Sequence, residues 1–572
     1  MTHEVTRNRV AGILAAFLYA FSFGAISRSL GDTFYHEHVA LPLLGVHLWF
    51  FFRALRRESV WNAILCALFL LGALLTWKVI EFYFLVLVLY FFLMFLRVGL
   101  ERRELRLLGL ITLGVLLTST LFDVHLRYSR FSISRGMLAA YALLFTQAVV
   151  WKKGQRWKWL AVPMVLLLLA LKAGLLPDTG RYGHVWQTFF YRLRYWHKPL
   201  DPTRLPFDVR HYWVPPYVSP NLFAFLNEVF WPVALALPGV VAFAGYLLLP
   251  GAWKPRPMPP ERRQQAFLLL GFVAFLVFYL LFYKIKTFLL LFSIPWVGLA
   301  WMRWNGLALR PGAAVSVALC LLALVALLAY AWGPIAASVV AVVILIVWGQ
   351  VRFVGLRIPQ RVALGLLVFF AVLAQGYHTV AWNRSQLARA LFALGIRQSS
   401  EKETGVVVSG GAIPDVLEWI GRESEPGEAF LAEFVLSPSI LVYAERPINQ
   451  HCFFESDMRL KYEEFAHALF KREEEFYAFC RKYETTYFVY NAHMLLRDDP
   501  NMSFRYITAH RGWSEDWAAY RFHFRPETLE HFRLAYQNDF MRVYRVLPPG
   551  ESPGGSNRNR PYSPLFDEEV FE

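Results

Sequence analysis

Charge is scarce in this chain. Asp, Glu, Lys and Arg make up 17% of its 572 residues, while apolar side chains make up 57%. That balance excludes an ordinary soluble globular protein, in which about a quarter of residues are charged. Cysteine is scarcer still: Cys66, Cys320, Cys452 and Cys480 are scattered, with no spacing that would hold zinc. Cys66 and Cys320 fall inside apolar runs, where a thiol behaves as a small apolar group. Cys452 and Cys480 are open to two readings, one disulfide in an exported segment or a pair of free thiols. The N-terminus, MTHEVTRNRV, lacks a small-residue cleavage site, so no cleavable signal is expected. There is no internal repeat, no charged residue in the middle of an apolar run, and no matched pair of Gly/Pro-broken runs. Those absences argue against a transporter.

What is abundant is apolar length. The chain carries 50 Phe and 20 Trp, its mean hydropathy is +0.38, and its apolar runs reach about 17–25 residues, enough to cross a bilayer as a helix. Spans are expected at 10–27, 39–55, 60–76, 79–97, 107–122, 136–151, 159–176, 222–249, 265–283, 287–302, 312–330, 334–350 and 362–381, about thirteen in all. With the N-terminus cytoplasmic, every short cytoplasmic junction is basic: Arg53, Arg56 and Arg57 mark one, Arg97, Arg102, Arg103 and Arg106 the next, Lys152, Lys153, Arg156 and Lys158 a third. This is the positive-inside pattern, and much of the +16 net charge is orientation signal.

An odd number of spans exports everything after residue 382. There the composition turns to alternating strands and helices, the mark of an α/β layer domain. Strands are expected at 405–409, 428–434, 485–491 and 540–547, and helices at 414–424, 456–484 and 525–537. The fold class is therefore a polytopic all-α membrane domain (1–381) followed by an extracytoplasmic α/β domain (382–547). A Gly-, Pro-, Ser- and Asn-rich tail (548–572) is expected to be disordered.

The same count exports SRSLGDTFYHEH (27–38), whose Asp32, His36, Glu37 and His38 are crowded together. Acids at a membrane surface act as general base or hold a divalent cation. Asp32 and Glu37 are the candidate ligands for magnesium or manganese, and Asp32, Glu37 and His36 are the candidate catalytic groups. The plain alternative is a solvated loop at the water boundary. The long outer stretch 177–221 interleaves Arg181, Arg192, Arg194, Lys198, Arg204 and Arg210 with Tyr182, Trp186, Phe189, Phe190, Tyr195, Trp196, Tyr212 and Trp213. Guanidinium groups fork phosphate oxygens, and rings lie at headgroup depth or stack on sugars; the alternative is an aromatic belt with snorkelling arginines. Nucleic acid is excluded as a partner, since these cations sit in a membrane-facing loop. Lys284 and Lys286, in the turn YKIK, and Lys78 are either snorkelling anchors or a phosphate clamp working with Arg192 and Arg194. Gly410-Gly411 reads as a turn. Asn383 and Asn501 open sequons that matter only in a eukaryote.

These segments resemble a known superfamily. SRSLGDTFYHEHVALPLLGVHLWFFFRALRRESVWNAILCALFLLGALLTWKVIEFYF is similar to an outer loop and the following helices of oligosaccharyltransferase catalytic subunits. RYSRFSISRGMLAAYALLFTQAVV and YKIKTFLLLFSIPWVGLAW follow in that order. IPDVLEWIGRESEPGEAFLAEFVLSPSILVYAERPINQHCFFES looks like a segment of tryptophan C-mannosyltransferases ending in Arg446, Pro447, Ile448, Asn449 and His451. Both families are GT-C membrane glycosyltransferases. The resemblance implies a polyprenyl-phosphate-linked sugar donor and a protein or glycan acceptor on the outer or luminal face. Arg192, Arg194, Lys284 and Lys286 would hold the donor phosphate, and Trp196, Arg446, Asn449 and His451 the acceptor. It implies the plasma or inner membrane, or the ER membrane in a eukaryote. Two departures stand out. AEFVLSPS replaces the Trp-Trp-Asp-Tyr-Gly acceptor motif, which argues against Asn glycosylation. If 27–38 is the family's second outer loop, its first two spans and first acidic loop are absent. Then the chain is shortened, a second subunit supplies that loop, or the chain is an inactive GT-C-like scaffold binding a partner through its exported domain. A rival alignment takes Asp32-Thr33-Phe34-Tyr35-His36 as the first loop itself.

Overall fold

The structure, a computed structural model, describes residues 1–303 except 21, 27–35, 78, 123–129, 176–182, 196–197, 214–218, 221–224, 226–227 and 249–257. It also describes 412–568 except 435, 452–457, 498–502, 555–556 and 558–562. The expected spans at 312–330, 334–350 and 362–381 lie outside the described residues. So do the strand at 405–409, Gly410-Gly411, Asp32, Lys78, Trp196, Cys320, Cys452 and both sequon asparagines. Two compact units divide the chain, one drawn from Met1–Pro177 and Ser219–Ser399, the other from Asp178–Val218 and Ser400–Glu572.

The first unit is helical. Every expected span from 10–27 to 287–302 coincides with a helix: Arg9–Ala20, Glu37–Arg56, Val60–Thr76, Ile80–Val98, Arg102–Leu117, Arg135–Lys153, Ala161–Leu175, Phe230–Leu248, Pro260–Leu281 and Lys286–Arg303. Among the described residues six helices are long and apolar enough to cross a membrane, and the chain is an integral membrane protein. Local chemistry sets the helix ends. Ser59 and Ser134 accept hydrogen bonds from the backbone N–H groups of Asn62 and Met137, satisfying donors that a helix start leaves open. Gly99, at φ 80°, closes Ile80–Val98 by returning its N–H to Met94 and Phe95. Arg263, at the start of Pro260–Leu281, is buried. It pairs with the buried Glu104, meets Glu101 at 2.6 Å, and donates to the Met258 carbonyl at 2.9 Å.

The second unit is built on a mixed four-stranded sheet, β1 (Phe430–Leu431), β2 (Tyr487–Asn491), β3 (Phe532–Gln537) and β4 (Met541–Val546), in the order β1-β2-β4-β3. β1 runs parallel to β2; the other pairs are antiparallel. Side chains on a strand alternate between faces, so β2 feeds two cores. Phe488 and Tyr490 enter one with Phe465, Phe476 and Phe522, while Tyr487 and Val489 enter the other with Val416, Ile420 and Ile440.

Three expectations for this unit need correction. The single helix at 456–484 is two, Met458–Leu469 and Glu473–Lys482. Arg472 is extended (φ −67°, ψ 160°), and the break lets Phe465, Phe470, Phe476 and Phe479 reach one core. The helix at 525–537 is a short turn, Pro526–Thr528, followed by β3; pairing with β4 outweighs helical spacing there. The tail expected to be disordered packs where it is described. Asn557 is buried, donates to the Pro526 and Phe532 carbonyls at 3.0 and 2.9 Å, and accepts from Leu534 N–H at 2.7 Å. Phe566 is buried under Arg542 and against His523. Composition misses this because one Asn that satisfies the edge of β3 and one Phe packed into the core are enough to hold the segment.

Part of the long loop assigned to the membrane domain also belongs with this unit. Phe207 enters its core, Asp208 pairs with Arg459 at 2.5 Å, and Tyr506 donates to the Pro199 carbonyl at 2.5 Å. Cys480 is a buried free thiol, and burial pushes its pKa up.

Candidate active site

The turn Tyr283–Ile285 joins Pro260–Leu281 to Lys286–Arg303. It places two lysines, two residues apart, beside two buried carboxylates from distant parts of the first unit. Lys284 Nζ is 3.3 Å from Glu37 Oε1 and 5.6 Å from the centre of the Trp77 ring. Glu37 lies in the first turn of Glu37–Arg56, where the helix dipole favours an anion. Trp77 is held by stacking on Phe288, centroid to centroid 5.3 Å. Lys286 Nζ is 2.6 Å from Glu228 Oε2 and 3.0 Å from the Tyr283 hydroxyl, which itself donates to Glu228. The helix Phe23–Ile26 closes on this corner: a Cβ added at Gly24 would stand 2.6 Å from the Glu228 carbonyl oxygen.

The two lysines are not equivalent. The Lys286 side chain is 2% exposed and is matched by a carboxylate and a phenol. That of Lys284 is 17% exposed and has its carboxylate at a longer distance. Lys286 is thus part of the framework, and Lys284 is the cation that water or a ligand reaches.

The other sequence candidates distribute as follows. His36 is exposed and precedes the Glu37 helix. Arg192 and Arg194 lie on Gly183–Tyr195 in the second unit. Arg192 is buried with its guanidinium 4.8 Å from the Trp213 ring centre, and burial pulls its pKa down to about 9. Arg194 is exposed over Tyr195. Arg446 is spent inside its domain, donating to the Ser424 hydroxyl and to the Gly421, Ser424 and Ala444 carbonyls at 2.7–2.9 Å. Asn449 donates to the Thr485 hydroxyl at 2.7 Å. His451 is partly exposed. Among the described residues no three His, Cys, Asp or Glu side chains group as metal ligands; Glu37 faces Lys284, and Asp32, the other expected ligand, lies outside the described residues. Sequence reading missed Glu228, Tyr283 and Trp77 as members of the site. An acid immediately before the apolar run of Phe230–Leu248 was the available signal for Glu228.

Glu433, in the AEFVLSPS segment, acts on the buried Tyr462, whose ring packs with those of His211 and the neighbouring Phe434 at 4.9–5.5 Å. Burial pushes its carboxyl up to about 7, against the pull of Arg497. A raised folded-state pKa contributes stability that is fully present below the ordinary carboxyl range and is lost as pH rises toward neutrality. Unfolding of the full chain in denaturant is expected to show a loss of up to about 3 kcal/mol from Glu433 between about pH 4.5 and 7.5. Glu433→Gln removes that part of the slope.

No protein-family model matches the chain, and no curated protein matches it. Solved structures that it resembles include archaeal oligosaccharyltransferases. One is the apo enzyme from Archaeoglobus fulgidus, with 13% identity and a TM-score of 0.48 over 94% of this chain. A second is the AglB enzyme of that organism with an inhibitory peptide and a dolichol-phosphate, at 12% identity, TM-score 0.48, 94% of this chain and 67% of that one. The C-terminal globular domain of another A. fulgidus oligosaccharyltransferase matches 23% of this chain and 95% of its own length at 20% identity and TM-score 0.19. The chain spans 66% of the length of the apo enzyme.

Proposed function

We propose that this chain is a membrane glycosyltransferase that takes a sugar from a polyprenyl-phosphate carrier and passes it to a protein or glycan acceptor on the outer or luminal face. The observation that carries the reading is the Lys284–Glu37 pair: a reachable cation beside an aromatic ring, held against a buried acid at the end of a spanning helix. The GT-C resemblance of the same segments supports it.

In the proposed reaction the acceptor attacks the anomeric carbon of the sugar. The new glycosidic bond forms as the bond to the carrier's phosphate oxygen breaks, and the phosphate leaves with the electron pair. Lys284, drawn from Glu37 toward the phosphate, offsets the charge that develops on it. A fixed cation in a water-poor site does this efficiently. Glu37, released from Lys284, accepts the proton lost by the acceptor. Lys286 and Glu228 hold the turn that carries Lys284. The GT-C resemblance further implies Asp32 as an acid and Arg192 and Arg194 as donor contacts.

The test is purified chain in nanodiscs with polyprenyl-phosphate-linked sugars, followed by mass spectrometry of the lipid. Time-dependent loss of sugar from the carrier, dependent on acceptor extract, is the expected result. An intact donor pool with every sugar and extract tried, together with no lipid retained by the chain, would rule the reading out. Labelling of His36 from outside sealed vesicles or cells tests the orientation.

A further inference from the structure

A second cluster of chemistry-bearing groups lies wholly within the second unit and has no part in the reaction above. His467 stands in the last turn of Met458–Leu469. His510 follows Phe504–Thr508 after the left-handed residue Ala509 (φ 61°). The two imidazole rings meet edge to face, 6.4 Å between centroids. Each is fixed from behind. His510 stacks on Phe470 at 5.1 Å, meets the edge of Trp517 at 5.3 Å, and shares a 2.9 Å hydrogen bond between Nδ1 and the Thr508 hydroxyl. His467 packs against Phe207 at 5.6 Å. Both are partly exposed, so a solute reaches them.

The electrostatics around the pair are one-sided. Arg210 acts on both histidines and Lys471 on His467, in each case disfavouring the charged imidazole, and each histidine is also desolvated. Arg210 is buried, and its Nε has no hydrogen-bond acceptor among the described residues; one of its terminal nitrogens reaches only the Pro202 carbonyl at 3.5 Å. The acids nearby are committed. Asp208 pairs with Arg459, and Glu463 faces both Arg459 and Arg210. Asp201 pairs with Arg204 and Arg511. The Tyr506 hydroxyl, which also faces Arg210, donates to Pro199. Lys471 is answered by Glu475 at 3.6 Å, but among the described residues no acid pairs with either histidine. A metal cation is disfavoured beside Arg210, while an oxyanion would relieve its repulsion of the two imidazoles.

We infer that His467, His510 and Arg210 form a seat for a phosphate-class oxyanion, separate from the proposed transfer site. The two imidazoles donate from nitrogens not committed elsewhere, and Arg210 supplies permanent charge. Binding takes up protons, because an anion between the rings favours the imidazolium forms.

The probe is sulfate, which stays dianionic across the range used. The thermal midpoint of the full chain in detergent is followed against sulfate and against chloride at equal ionic strength. A saturable rise with sulfate is expected, with apparent affinity about tenfold or more higher at about pH 6 than at about pH 8. His467→Gln/His510→Gln should remove the saturable part and its pH dependence. If that double variant fails to fold, His510→Gln alone should weaken sulfate at pH 6 and leave pH 8 nearly unchanged. A linear, non-saturating rise that is equal in wild type and variant overturns the proposal, as does a larger stabilisation by zinc than by sulfate. Nanodiscs with and without phosphatidylglycerol separate the sources: stabilisation already saturated in the anionic discs assigns the seat to a lipid headgroup, and an unchanged sulfate response assigns it to a free anion.

Discussion

Replacing Lys286 with Met is expected to lower the stability of the chain by about 3–5 kcal/mol, the usual consequence of removing one partner from a buried ion pair. Glu228 would keep its carboxylate out of water with the Tyr283 hydroxyl against it but without the ammonium 2.6 Å away. The expected value lies at the lower end of the range, because that phenol still donates. The double replacement Lys286→Met/Glu228→Gln should recover most of the loss, since neither side is then charged. Thermal midpoints in a single detergent measure both variants. A single variant as stable as wild type would show that the pair is hydrated, and the framework role of Lys286 would fall.

Lys284 should behave in the opposite way. Lys284→Met is expected to reduce sugar transfer by about 100- to 1000-fold, the effect of removing one preorganised charge that faces a developing anion. Its side chain is more exposed and its acid lies at 3.3 Å rather than 2.6 Å, so the thermal midpoint should move less than in the Lys286 variant. Lys284→Arg should restore part of the rate, because charge is kept while the reach and shape of the head group change. Equal rates for wild type and Lys284→Met, with lipid donor turned over by both, would remove Lys284 from the mechanism and leave the YKIK turn as a membrane anchor.

The contrast between these two residues was not visible in the sequence, where YKIK offers two lysines of equal standing. Their difference comes from Glu37 and Glu228, which lie 247 and 58 positions away from Lys284 and Lys286 and meet the turn only when the helices pack. Trp77 joins the site for the same reason. Arg446 shows the reverse: it stood in a suggestive motif, and packing turned it inward to the carbonyls of Gly421, Ser424 and Ala444.

The helices of the first unit were readable in number and place from 10–27 to 287–302, with some ends shifted by several residues, because in hydrocarbon each backbone polar group must be satisfied locally, and a run of apolar side chains about 20 residues long has only that solution. The second unit was readable in its alternation of strand and helix, and in β2 and β4, whose apolar faces demand cover on both sides. The break at Phe470–Arg472, the strand at Phe532–Gln537, the packing of Asn557 and Phe566, and the inclusion of Phe207 and Asp208 in the second unit depended on contacts between distant segments. Local pattern carries the information that hydrophobic periodicity encodes. Which acid meets which lysine, and which loop joins which core, is settled by long-range packing, where one buried pair or one strand edge outweighs the preference of a short stretch of chain.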